Sequence, residues 1–64
     1  MTVKELLKVL AKCDLNATVV LSKDAEGNGY HELATVENNL LYNQYQGTCG
    51  DVEGTPAIVL WPFD

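Results

Sequence analysis

The chain has 64 residues, 47% of them apolar and 20% charged, a balance that belongs to a folded globular protein rather than a disordered one. Its four lysines, Lys4, Lys8, Lys12 and Lys23, all precede Asp24, arginine is absent, and nine carboxylates bring the net charge to −5. Four lysines against Glu5 and Asp14 leave +2 on residues 1–23, whereas seven carboxylates without a lysine leave −7 on residues 24–64. So acidic a region repels nucleic acid and anionic lipid and attracts basic protein surfaces, which disfavours direct nucleic-acid or membrane binding.

At this length the chain is read as a single small α+β domain, 1–64, near the lower limit for independent folding. No apolar run approaches the roughly 20 residues of a membrane helix. The N-terminal segment has mixed charge and lacks a small-residue cleavage site, so it does not read as a signal peptide. The expected compartment is the cytosol. There Cys13 and Cys49 remain thiols; in an oxidising setting the same pair would staple the first helix to a late loop.

Residues 2–13 are predicted as an amphipathic helix. Thr2 and Glu5 form a T-x-x-E capping box. Val3, Leu6, Leu7, Leu10 and Cys13 make the apolar stripe, and Lys4, Lys8 and Lys12 line the opposite face. Asp14 to Asn16 supply the stop, with Asn16 in a left-handed conformation. On this reading the stripe packs on a sheet, and Leu7→Ala costs about 2–5 kcal/mol.

Ala17 to Ser22, rich in β-branched residues, is predicted as a strand, followed by a turn-rich loop over 23–31. Glu32 to Glu37 reads as a second strand. Asn38-Asn39 either turns the chain into a third strand over 40–45, or marks a bulge in one long strand over 32–42. Residues 46–55 read as a loop. Pro56 opens a last strand, Ala57 to Trp61, whose Ala-Ile-Val-Leu run suggests a central position covered on both faces.

The expected architecture is one N-terminal helix packed on a three- to four-stranded, mainly antiparallel sheet. Its expected core is Leu6, Leu7, Leu10, Val19, Leu21, Val36, Ile58 and Leu60. A single helix covers one face of a sheet, so the face assigned to Val20, Leu41, Tyr42, Val59 and Trp61 is either wet or covered by a partner or a second copy.

Catalytic and metal-binding sets are hard to assemble from these residues. Asp24-x-Glu26-x-Asn28-Gly29 follows the start of a calcium loop, and Glu32 fits the ninth position, but Thr35 stands where a bidentate carboxylate is needed. His31, Cys13 and Cys49 lack zinc-ligand spacing. Neither a nucleotide-binding glycine motif nor a nucleophile–base pair is present. The carboxylate pairs Asp24/Glu26 and Asp51/Glu53 fall in solvated glycine-rich loops that do not tune them for acid–base work. The chain is therefore read as a non-enzyme without metal or cofactor.

Binding to a protein is the reading that remains. Its expected contact residues are Asp24, Glu26, Tyr30, Glu32, Tyr45, Asp51 and Glu53, which combine exposed charge with aromatic rings that anchor interfaces. Tyr42, Trp61 and Phe63 complete the aromatic set, as core or as interface.

VVLSKDAEGNGY over 19–30 and TPAIVLWP over 55–62, behind the TVKELLKVL helix, resemble small uncharacterised proteins of tailed bacteriophages. The resemblance spans the helix, the first strand with its loop, and the last strand. It implies a phage origin and residence in the host bacterial cytoplasm, and carries no catalytic residue over. The expected function is an accessory protein that inhibits or redirects a host protein with a basic surface. The alternative is an assembly module that forms a homodimer or larger homo-oligomer through its uncovered sheet face.

Overall fold

A computed structural model describes residues 1–62; Phe63 lies outside the described residues. The fold is α+β, with one N-terminal helix and two antiparallel sheets. The first sheet pairs β1 (Val20–Ser22) with β2 (Tyr30–Glu32). The second has the order β4–β3–β5, with β3 spanning Thr35–Asn43, β4 Thr48–Gly50 and β5 Thr55–Trp61.

The helix, α1, spans Val3–Leu10. Thr2 caps it as predicted: its side chain accepts from the Glu5 N–H at 3.1 Å, and Glu5 reaches back to the Thr2 N–H. The helix ends three residues earlier than the sequence suggested. Lys12 N–H donates to the Val9 carbonyl and Cys13 N–H to that of Leu10, so the last turn tightens to three-residue bonds and stops. Asn16 is not left-handed; instead its N–H is held by the Asp14 carboxylate at 2.9 Å.

β3 is one long strand with a bulge, the second of the two sequence alternatives. Glu37 faces Val59 and Leu40 faces Ala57, so Asn38 and Asn39 together oppose Ile58 alone. Asn39 takes a φ of 61°, and its N–H is held by the Asn38 side chain at 2.8 Å. Asparagine tolerates this left-handed conformation better than most residues. The register puts Val36, Leu41, Ile58 and Leu60 on one face of the second sheet, and Tyr42, Val59 and Trp61 on the other. Leu41 thus leaves the face on which the sequence reading had placed it beside Tyr42.

Two strand assignments change. The predicted loop over 46–55 contains β4, which pairs with the end of β3. β5 is not central: it has one neighbour, β3, which occupies the middle of the sheet. The single sheet expected is instead two: β1 begins at Val20 rather than Ala17, and Leu33 and Ala34 break the predicted 32–37 strand into the end of β2 and the start of β3.

None of the described residues is buried, and this overturns the expected core. Leu7, Leu10, Val19, Val36 and Leu60 are exposed, whereas Leu6, Leu21 and Ile58 are half-covered. Cys13, expected to pack as a small apolar group, is exposed as well. Extended packing between elements is confined to the strand pairs β1–β2, β3–β4 and β3–β5. At its start α1 shares a groove with the second sheet, lined by Met1, Thr2, Val3 and Leu6 together with residues of β5. The radius of gyration is 13.3 Å, against about 10.7 Å from the scaling for compact chains of this length. The elements form, yet they do not close over one another.

Candidate functional site

The β1–β2 loop is built around one carboxylate. Asp24 Oδ1 accepts from the N–H groups of Glu26 at 2.9 Å and Asn28 at 3.2 Å, and Oδ2 accepts from Asn28 Nδ2 at 3.1 Å. The Asn28 amide also reaches Glu26 Oε2 at 3.3 Å. Lys23 N–H closes the loop onto the Gly29 carbonyl at 2.8 Å. The Asn28 side-chain bond, then its backbone N–H, hold the Asp24 carboxyl below the usual carboxylate range, because each bond favours the ionised form. Gly27 supplies the left-handed turn, with φ 74°, and the Tyr30 hydroxyl lies against it. These acids serve the loop before they serve a partner.

The β3–β4 turn is organised by Asn43, the last residue of β3. Its Oδ1 accepts from the N–H groups of Tyr45 at 3.0 Å and Gln46 at 3.1 Å, and its carbonyl accepts from Gly47 N–H at 2.8 Å. Gly47, with φ 67°, lets the chain reverse into β4. The turn throws Tyr45 outward, 91% exposed.

Tyr42, Asn43, Tyr45, Glu53, Gly54 and Thr55 line a depression of about 420 Å³ at this end. Gly54 lies so close to β3 that a Cβ would collide with the Tyr42 carbonyl. Asp51 and Glu53, in the short β4–β5 connection, accept no hydrogen bond among the described residues. Their charge is left for solvent or a partner. Farther along the sheet, Trp61 Nε1 donates to Glu37 Oε1 at 2.9 Å, a diagonal cross-strand pair on the Tyr42 face.

The seven expected contact residues therefore fall into two groups. Asp24, Glu26, Tyr30 and Glu32 belong to the first sheet and its loop; in the second sheet Tyr45 belongs to the β3–β4 turn, and Asp51 and Glu53 to the β4–β5 connection. Tyr45 and Glu53 meet in one depression, and no extended packing links the two sheets. Sequence reasoning missed Asn43 and Gly54, whose roles depend on the β3–β4 and β3–β5 registers. Among the described residues no group of three histidine, cysteine, aspartate or glutamate side chains is placed to hold a metal ion, and no helix is long and apolar enough to cross a membrane.

Comparison with known proteins gives no match to a family model, a curated protein or a solved structure.

Proposed function

We propose that the chain is a small binding protein, an accessory factor of a tailed bacteriophage that engages a basic surface of a host protein and inhibits or redirects it. The observation that carries this reading is the turn end of the second sheet. There a fully presented Tyr45 shares a depression with Glu53, and Asp51 lies two residues before Glu53 in the same connection, with neither carboxylate hydrogen-bonded among the described residues. A protruding aromatic ring with unspent negative charge around it provides an anchor and electrostatic steering together. The phage setting and the host bacterial cytoplasm rest on the resemblance of 19–30 and 55–62 alone. Asp24 and Glu26 take a smaller part than the sequence suggested, since the loop they build already uses them.

Affinity capture from bacterial lysate tests the reading with two baits, the natural chain and a Tyr45→Ala/Asp51→Asn/Glu53→Gln variant. The expected result is a protein retained by the first in low salt, released as salt rises, and not retained by the second. Equal retention by both baits would remove the turn end from the function.

An assembly module is the second reading, and the uncovered apolar surface favours it: Val3, Leu7, Leu10, Val36 and Leu60 are all exposed. A monomer–dimer equilibrium by sedimentation, with loss of the dimer in Leu60→Ser, would support it over the first.

A further inference from the structure

Asn28 stands between two glycines in the β1–β2 loop, and it is exposed. The other asparagines precede Ala17, Asn39, Leu40 and Gln44; Asn28 alone precedes a glycine. That neighbour matters because asparagine is chemically labile: the backbone nitrogen of the next residue attacks its side-chain amide carbon. Glycine has no Cβ to obstruct the approach, and it lets the backbone rotate into it. The Gly29 N–H donates no hydrogen bond among the described residues, so its nitrogen is not tied elsewhere. The Asn28 amide is held through Nδ2, by Asp24 Oδ2 at 3.1 Å and Glu26 Oε2 at 3.3 Å. Both bonds join exposed groups, where water replaces them readily and releases the amide to turn.

The fold does not require glycine at position 29. Its φ lies outside the left-handed region, unlike that of Gly27. A Cβ there would meet only the flexible Lys23 side chain, Cδ at 3.4 Å and Cβ at 3.7 Å. The Asn28 side chain, by contrast, holds the loop together. It ties Asp24 to Glu26, and the Asn28 N–H adds a bond to Asp24 Oδ1 at 3.2 Å. The first sheet has only the pairs Val20–Glu32, Leu21–His31 and Ser22–Tyr30, and no extended packing against the second. So short a hairpin relies on its loop.

We infer that Asn28-Gly29 is a site of spontaneous deamidation, and that the reaction opens the β1–β2 loop. The Gly29 nitrogen gives up its proton to solvent and bonds to Asn28 Cγ. The Cγ–Nδ2 bond breaks, and Nδ2 leaves as ammonia, taking up a proton from water. One water then opens the cyclic imide at either carbonyl, leaving aspartate or isoaspartate at position 28. Either product replaces the two donated bonds with a carboxylate facing Asp24 and Glu26, and like charges repel. Isoaspartate also lengthens the backbone by a methylene, inside the closure from Lys23 N–H to the Gly29 carbonyl at 2.8 Å. The reaction involves only this chain and water, so it does not depend on any binding partner.

The test incubates the full chain at neutral pH and physiological temperature, then maps it by mass spectrometry and isoaspartyl methyltransferase labelling. Peptides spanning residue 28 should convert from amide to acid and accept the methyl label. Gly29→Ala should slow the conversion about tenfold, since its methyl group obstructs the approach. Asn28→Gln keeps an amide whose cyclisation needs a larger, slower-forming ring, and it should stay unlabelled. In the converted fraction the Leu21 and Tyr30 amide resonances should leave their strand positions, while those of Glu37 and Val59 stay fixed. Absence of conversion, equal conversion in Gly29→Ala, or earlier labelling at another asparagine would overturn the inference. So would a converted chain whose Leu21 and Tyr30 resonances do not move.

Discussion

Two loops of this chain share the pattern D-x-E-G, Asp24-Ala25-Glu26-Gly27 and Asp51-Val52-Glu53-Gly54, and the structure uses them in opposite ways. In the first, aspartate folds inward onto its own loop, and Asn28 completes the ring of donors. In the second, Thr55 stands where Asn28 does, but it has no side-chain amide and its backbone begins β5, paired with Tyr42 of β3. Asp51 and Glu53 are left without a donor among the described residues. The glycines differ too. Gly27 is needed for its left-handed φ of 74°, and Gly54 for its close approach to the Tyr42 backbone. The residues just after a short acidic motif decide whether its charge is structural or available.

Substituting the two glycines separates these roles most sharply. Gly54→Ala drives a Cβ into the Tyr42 carbonyl, which cannot move without parting β3 from β5. It should cost about 3 kcal/mol and abolish cooperative melting of the second sheet, read by circular dichroism. Gly27→Ala meets the Tyr30 hydroxyl at 2.8 Å, the far end of a side chain that can swing away. The left-handed backbone then sets its cost, about 1–2 kcal/mol. Comparable losses in the two variants would erase the distinction.

The aspartates come next. Asp24→Asn should lower the melting temperature, whereas Asp51→Asn should leave it unchanged. The Asp24 pKa is depressed in the fold, so its contribution is present above the ordinary aspartate range and is lost as pH falls through the lowered folded value. The Glu26 and Asn28 amide resonances should move in that acid window and stay fixed at neutral pH. Movement of both near the ordinary aspartate range would mean that the loop bonds do not hold the carboxylate.

Two smaller effects probe the open architecture. Asn39→Val should cost about 1 kcal/mol because a β-branched residue resists the φ of 61°, and Asn39→Gly should cost nothing. Leu7→Ala should cost about 0.5 kcal/mol, since Leu7 is 61% exposed. That replaces the much larger loss expected when the helix stripe was read as core. A loss of several kcal/mol at Leu7 would mean that the stripe is covered in solution.

The sequence made local features legible and left nonlocal ones obscure. The Thr2–Glu5 cap fixes the helix start within one turn, and Asn38-Asn39 signals a break in β3 that residue chemistry alone confines to a turn or a bulge. β4 escaped notice because Thr48–Gly50 is too short to show alternation and lies among glycines. The apolar Ala57–Leu60 run fits a central strand and an uncovered edge equally well, although Pro56 favours the edge. Pattern also identifies which faces are apolar without saying whether the chain covers them, and here it does not. The site divides in the same way. Exposure of Tyr30 and Tyr45 could be read from their polar neighbours, but the meeting of Tyr45 with Glu53 depends on strand registers.

The central claim is that the acids after β4 are available for binding while those after β1 are structural. It is tested most directly by comparing two double variants, Asp24→Asn/Glu26→Gln and Asp51→Asn/Glu53→Gln, in their rate of association at low salt with the protein captured from bacterial lysate by the natural chain. The expected result is slower association for the second pair at an unchanged melting temperature, and a lower melting temperature for the first. Slower association for the first pair, with none for the second, would contradict the claim.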